Sequence, residues 1–125
     1  MRRPIVARIV PDADAVLQSA RSVLVIDWPS RDVPDGLAAA GLEVIVKGGP
    51  GPLQPKPDHI DLVCAHRPAA ELPGIAALAK ELGAQAVWHG VALDEPELAE
   101  ARRAVEAEGL AYVHGVDIVQ AARAL

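Results

Sequence analysis

Asp27, His66, His89 and His114 each stand where a strand-like apolar run stops: Val23–Asp27, Asp61–His66, Ala84–His89 and Leu110–His114. Groups able to hold an anion or a ring gather beside these stops. Trp28, Pro29, Ser30 and Arg31 follow Asp27. Arg67 and Pro68 follow His66, Gly90 follows Trp88 and His89, and Lys47 ends a further run that begins at Glu43. The Ser30 hydroxyl and the Arg31 and Arg67 guanidinium forks suit phosphate or carboxylate. Trp88 offers a flat face for a ring, and Gly90 permits a close approach. Each reading has a plainer counterpart. Arg67 could neutralise Asp27, Lys47 could be a solvated edge lysine, and Trp88 could close the end of the core. The Asp27–Arg31 loop could be a tight connection with Asp27 paired or capping.

The histidines raise a metal site. His66, His89 and His114 would sit at the ends of adjacent strands, which lie roughly 5 Å apart. Three imidazoles with Asp27 could bind zinc, although no two histidines show a local ligand spacing and His59 falls in a loop. The case for catalysis is thin. No serine sits in a Gly-x-Ser-x-Gly turn, and Cys64 lies inside a strand-like run as a small hydrophobe rather than a nucleophile. Glu97, Glu100, Arg102, Arg103 and Glu106 read as a solvated helix face, with Arg102 and Glu106 paired at i, i+4.

The elements that must position these groups follow from composition and punctuation. The chain has 125 residues, 51% of them hydrophobic, which suits one domain with one real core. Folding should bury roughly two-thirds of the unfolded surface. Phe is absent and the aromatics are Trp28, Trp88 and Tyr112, so the core must be built from Val, Ile, Leu and Ala. A net charge of −5 argues against a general nucleic-acid binder. One cysteine excludes an internal disulfide and fits a reducing compartment. The first ten residues are basic but their apolar stretch is broken by Arg8, so no secretory signal is expected, and no run is long enough to span a membrane. The expectation is a cytoplasmic protein, monomer or homodimer.

Asp12 can cap a first helix whose Ala13, Val16, Leu17 and Ala20 share one face. Val23-Leu24-Val25-Ile26 lacks alternation, as a strand covered on both faces should. A short helix opens at Asp32 and Pro34 and stops at Gly41, and Glu43–Lys47 is the second strand. Gly48–Pro57, rich in Gly and Pro, reads as a surface loop crossing the sheet edge. Ile60–Ala65 is the third strand. Pro73 begins a helix that Gly83 ends, with Ile75, Leu78, Ala79 and Leu82 facing inward. Ala84–Trp88 is the fourth strand. Asp94 and Glu97 form a capping box for a helix running to about Glu108, stopped by Gly109. Leu110–Val113 is the fifth strand, and the last helix carries Ile118, Ala122 and Leu125 on one side. Strands alternating with helices predict a Rossmann-like α/β sandwich: a five-stranded parallel sheet, order 2-1-3-4-5, with helices on both faces. The winding reverses between strands 1 and 3, opening a crevice between Asp27–Arg31 and His66–Pro68.

These stretches resemble the small CoA-binding domain family, over almost the whole chain from Asp12. Asp61-Leu62-Val63-Cys64-Ala65-His66-Arg67-Pro68 is similar to the family's Asp-x-Val-x-x-Phe-Arg-x-Pro. Leu82-Gly83-Ala84-Gln85-Ala86-Val87-Trp88-His89-Gly90 is similar to its Gly-Ala-Lys-x-Val-Trp-x-Gln-x-Gly. Pro29-Ser30-Arg31, Ala40–Val46 and Glu108–Val113 match its other elements. The chain departs from the family where its first strand runs into Val-Gly-Ala-Ser, because Val25-Ile26-Asp27-Trp28 stands there. Ser30, Arg31, Arg67, Pro68, Trp88 and Gly90 carry over, and the phosphate turn does not.

The resemblance implies a non-catalytic domain binding CoA or a related adenine nucleotide. Its contacts would come from Asp27, Trp28, Ser30, Arg31, Lys47, His66, Arg67, Pro68, Trp88, His89 and Gly90, with the phosphates on Arg31, Lys47 and Arg67. The alternative is a relative that has lost its ligand and acts through protein partners or self-association. A metal-dependent enzyme using His66, His89 and His114 is a lesser alternative.

Overall fold

In the computed structural model, which describes residues 13–48 and 53–125, the first strand, β1 (Ser22–Ile26), is buried at every position. It pairs in parallel with β2 (Glu43–Lys47) on one side and β3 (Leu62–Ala65) on the other. Beyond β3 lie β4 (Ala86–His89) and β5 (Ala111–His114), again parallel, so the order is β2-β1-β3-β4-β5. The helices among the described residues are α1 (Ala13–Ser19), α2 (Asp32–Ala39), α3 (Leu72–Glu81), α4 (Glu95–Glu106) and α5 (Ile118–Arg123), with a 3-10 turn at Ala69–Glu71 before α3. This is the expected α/β Rossmann-like fold.

Two cores cover the two faces of the sheet because successive strand residues point to opposite sides. Leu24, Ile26, Val63, Ala65 and Val87 pack against Leu72, Ile75 and Ala79 of α3 and Ala101 and Val105 of α4. Val23, Val25, Leu62, Cys64, Ala86 and Trp88 pack against Val16 and Leu17 of α1, Leu37 of α2, and Ile118 and Ala122 of α5. Each fully buried Leu, Ile or Val contributes roughly 1.5–3 kcal/mol relative to exposure. Cys64 is the buried hydrophobe expected, and burial pushes its thiol up to about 12.

Local chemistry sets the element ends. Asp94 Oδ1 accepts from Glu97 N at 2.9 Å while Glu97 Oε1 accepts from Asp94 N at 3.1 Å, which completes the capping box. Asp117 caps α5 through Val119 N and Gln120 N, both at 3.0 Å. At the amino ends of the strands Asp61 ties β1 to β3: Oδ2 accepts from Arg21 N at 2.8 Å and Ser22 N at 3.1 Å, and Oδ1 meets His59 Nε2 at 2.6 Å. Burial alone would raise this carboxyl, but those bonds leave it below its ordinary value. His59 therefore has a structural place that its position in a loop did not announce.

Three expectations change. β3 begins at Leu62 rather than Ile60 and β4 at Ala86 rather than Ala84, because the pairing with β1 and β5 starts there. Leu125 is 56% exposed rather than inward-facing, because α5 ends at Arg123. The Asp12 cap, residues 49–52 of the Gly/Pro loop and the first ten residues lie outside the described residues. Among the described residues, no helix is long and apolar enough to cross a membrane.

Candidate functional site

Parallel strands bring Asp27, His66, His89 and His114 to one edge of the sheet. The chain leaves β1 by a sharp bend. Asp27 adopts φ 56, a left-handed conformation uncommon for a residue with a side chain. Asp27 N donates to Lys47 O at 2.9 Å, and His66 N donates to Ile26 O at 3.0 Å. The bend throws the Trp28 indole across the mouth of β3. There Nε1 donates to Cys64 O at 3.3 Å, and the ring lies 5.0 Å from that of His66.

Gly90 is where this indole rests. A β-carbon at Gly90 would meet Trp28 Cη2 at 2.3 Å and Cζ2 at 2.5 Å, closer than carbon atoms approach. The glycine expected to admit a ligand thus admits Trp28 of the same chain. The Asp27–Arg31 and His66–Pro68 segments are also joined by charge. Arg67 NH1 lies 3.4 Å from Asp27 Oδ2, while its Nε and NH2 donate to Glu71 at 3.0 and 2.5 Å. The Arg67 hydrogen bonds hold the Glu71 carboxyl below its ordinary range. Arg67 takes the neutralising role foreseen for it. Its second carboxylate, Glu71, stands four residues on, a spacing that the strand-end pattern did not single out.

Among the described residues, Trp28 walls two cavities on this edge. The larger, about 390 Å³, lies between Trp28 and the loop after β5, with Val33, His114, Val116 and Ile118 among its lining. The smaller, about 230 Å³, lies on the other side, beside Ser30, Arg31, Val46 and Lys47. Arg31 is well exposed and pairs with Asp35 at 2.9 Å, and Ser30 Oγ accepts from Asp32 N at 3.3 Å. Pro68 is exposed and leads into the 3-10 turn. The strand-end pattern did not single out Val33, Val116 or Ile118. The loop after the fifth strand was open to the same argument as the other four.

Trp88 requires a correction. It lines neither cavity: its side chain is 1% exposed and Nε1 donates to Val116 O at 2.8 Å. Its register partners Cys64 and Val113 point into the same core, so Trp88 is a core residue that braces the loop after β5.

His89 is also structural in its contacts, although it reaches the larger cavity. Its Nε2 lies 2.7 Å from Arg67 O, and a carbonyl only accepts, so Nε2 carries the proton. Nδ1 then accepts from the Tyr112 hydroxyl at 2.8 Å. Burial first, and then His114 and His66, lower the His89 pKa, against the bond to Arg67 O, which raises it. Burial pushes the Tyr112 phenol up to about 12. His114 Nε2 donates to Val91 O at 2.7 Å. The His89 and His114 rings lie 5.8 Å apart, yet among the described residues no three His, Cys, Asp or Glu side chains converge as metal ligands. Among the described residues His66 Nδ1 is buried with no hydrogen-bond partner.

No family model and no curated protein matches this chain. Solved structures do. A hypothetical protein from Pyrococcus horikoshii OT3 is similar over 100% of this chain and 97% of its own, with TM-score 0.71 and 21% identity. Prb, the PH1109 protein redesigned for binding, aligns over 90% of this chain and 89% of its own, with TM-score 0.70 and 22% identity. The cell-free ID.343 protein from Thermus thermophilus aligns over 88% and 93%, with TM-score 0.65 and 19% identity. The likeness is one of fold.

Proposed function

We propose that this protein is a non-catalytic binding domain for CoA or a related adenine nucleotide, held at the carboxyl ends of its strands. The observation that carries the reading is Trp28, one aromatic wall shared by an apolar cavity and a smaller cavity rimmed by Ser30, Arg31 and Lys47. A ring in the first and phosphates at the second match the two chemistries of such a ligand. A cavity of about 390 Å³ falls within the usual range for small-molecule sites. The two cavities flank the reversal between β1 and β3, the region where doubly wound sheets bind ligands, and the sequence resemblance to CoA-binding domains points the same way. Arg67 is an orienting rather than a free cation, because Asp27 and Glu71 already face it.

Titration calorimetry with CoA, ADP and NAD tests this, with tryptophan emission read in parallel. Saturable heat is expected, with an emission change that Trp28→Phe abolishes. The R31A/K47A double variant should bind at least about tenfold more weakly, since one charge-assisted hydrogen bond is worth roughly 1.5–3 kcal/mol. Absence of heat and of thermal stabilisation at millimolar ligand would sink the reading.

The arrangement of Arg67 and Trp28 favours a second reading, a scaffold that has lost its ligand and works through protein contacts. Arg67 is committed to two carboxylates and the Trp28 indole lies against Gly90. Failure of every nucleotide in the same titrations would favour it.

A further inference from the structure

β2 is the terminal strand of the sheet among the described residues. Glu43 N donates inward to Arg21 O, and Lys47 O accepts inward from Asp27 N. The N–H and C=O of one strand residue point to the same side, and that side alternates along the strand. Glu43, Ile45 and Lys47 therefore face β1, while Val44 and Val46 turn their N–H and C=O outward. Among the described residues no strand lies beyond β2, so those outward groups have no ladder. Val46 is 50% exposed, one of the few large hydrophobic side chains left open to solvent. Of the devices that blunt sheet edges, β2 has neither Pro nor a bulge over Glu43–Lys47 and relies on its short length and its two end charges, which a partner of matching charge would turn into contacts.

The sequence of the strand, Glu-Val-Ile-Val-Lys, is charge-antisymmetric about Ile45. We propose that a second copy of this chain docks antiparallel along β2, with Ile45 opposite Ile45 and the sheet continuing across a two-fold axis. Glu43 of each copy then faces Lys47 of the other on one face of the joined sheet. Val44 faces Val46 in a hydrogen-bonded pair, twice, which supplies the four outward N–H and C=O pairs. Any other antiparallel register, or a parallel one, misaligns the charges. The contact is short, so the association is concentration-dependent rather than permanent. Val46 and Lys47 also line the smaller cavity, whereas Glu43 lies at the opposite end of β2 and lines neither, so Glu43→Lys separates this proposal from the nucleotide reading.

Sedimentation velocity over a concentration series tests it on the full chain, with circular dichroism to verify folding. Wild type should pass from monomer to dimer, less readily as salt is raised. Glu43→Lys and Lys47→Glu should each weaken self-association by about tenfold or more, since each places two like-charged pairs in the joint. The double variant E43K/K47E should recover it. Mixing the two single variants should give a heterodimer, because their strands are again complementary. Val46→Pro, which removes an outward N–H only, should abolish association in a folded protein. A wild type that stays monomeric throughout overturns the proposal. So do single variants that associate like wild type, or a double variant that fails to recover.

Discussion

Gly90 and Trp28 form one structural unit although 62 positions separate them in the chain. A methyl group at residue 90 has no room until the indole moves. Gly90→Ala should destabilise the protein by about 1–3 kcal/mol, the usual cost of overpacking. The same change should cost much less in a Trp28→Ala background, and urea denaturation of the four proteins in the cycle reads the coupling. His89 supports a second prediction. Its folded pKa lies below the ordinary 6.5, so the unfolded chain takes up the proton first. Its contribution to stability is intact above that value and is lost as pH falls from about 6.5 toward the folded pKa. His89→Phe should flatten this part of the urea-midpoint profile relative to wild type. It should also lower stability by about 1–3 kcal/mol for each of the two groups, Tyr112 Oη and Arg67 O, left without a partner. Neither role was legible beforehand. A residue's type and place at a strand end say where it sits, whereas the partner of its ring nitrogen comes from a strand or loop elsewhere.

The elements were largely legible because their signals are local. Asp94 and Glu97 three residues apart, with Pro96 between, announce a helix start by a geometry contained within one turn. Asp94→Ala should cost roughly 1 kcal/mol and fray the first turn of α4, checked by thermal unfolding and amide exchange at Glu97. Continuous apolar runs marked the buried strands for the same reason, since a strand covered on both faces has no solvent side to alternate toward. The charged ends of β2 were visible too, but read alone Lys47 was an edge lysine. Its antisymmetry with Glu43 acquires meaning only once β2 is known to be the terminal strand of the sheet. Boundaries slipped by a residue or two where pairing, not composition, decides the first ladder residue, as at Leu62 and Ala86.

At the scale of the molecule, a sheet covered on both faces protects Cys64. Burial pushes its thiol up to about 12 and keeps reagents out, so the native protein should resist iodoacetamide at neutral pH. Labelling should begin only across the global unfolding transition, and rapid reaction of the folded protein would contradict this burial. The same closure explains why Trp88 left the candidate site. Its rank at the end of an apolar run placed it near the rim, but the alternation of the strand turned it into the core beneath α5.

The chain alone determined the alternation of elements, the parallel sheet and its order, and the edge on which Asp27 and the three histidines meet. These follow from periodicity, capping and turn chemistry, which act over a few residues, and from the handedness that limits how such units join. Tertiary structure decided what that edge contains: Trp28 laid on Gly90, Arg67 divided between Asp27 and Glu71, and His89 bridging Tyr112 and the backbone of Arg67. Side-chain direction at a strand end is set by whichever neighbour packs there, and those neighbours are distant in sequence.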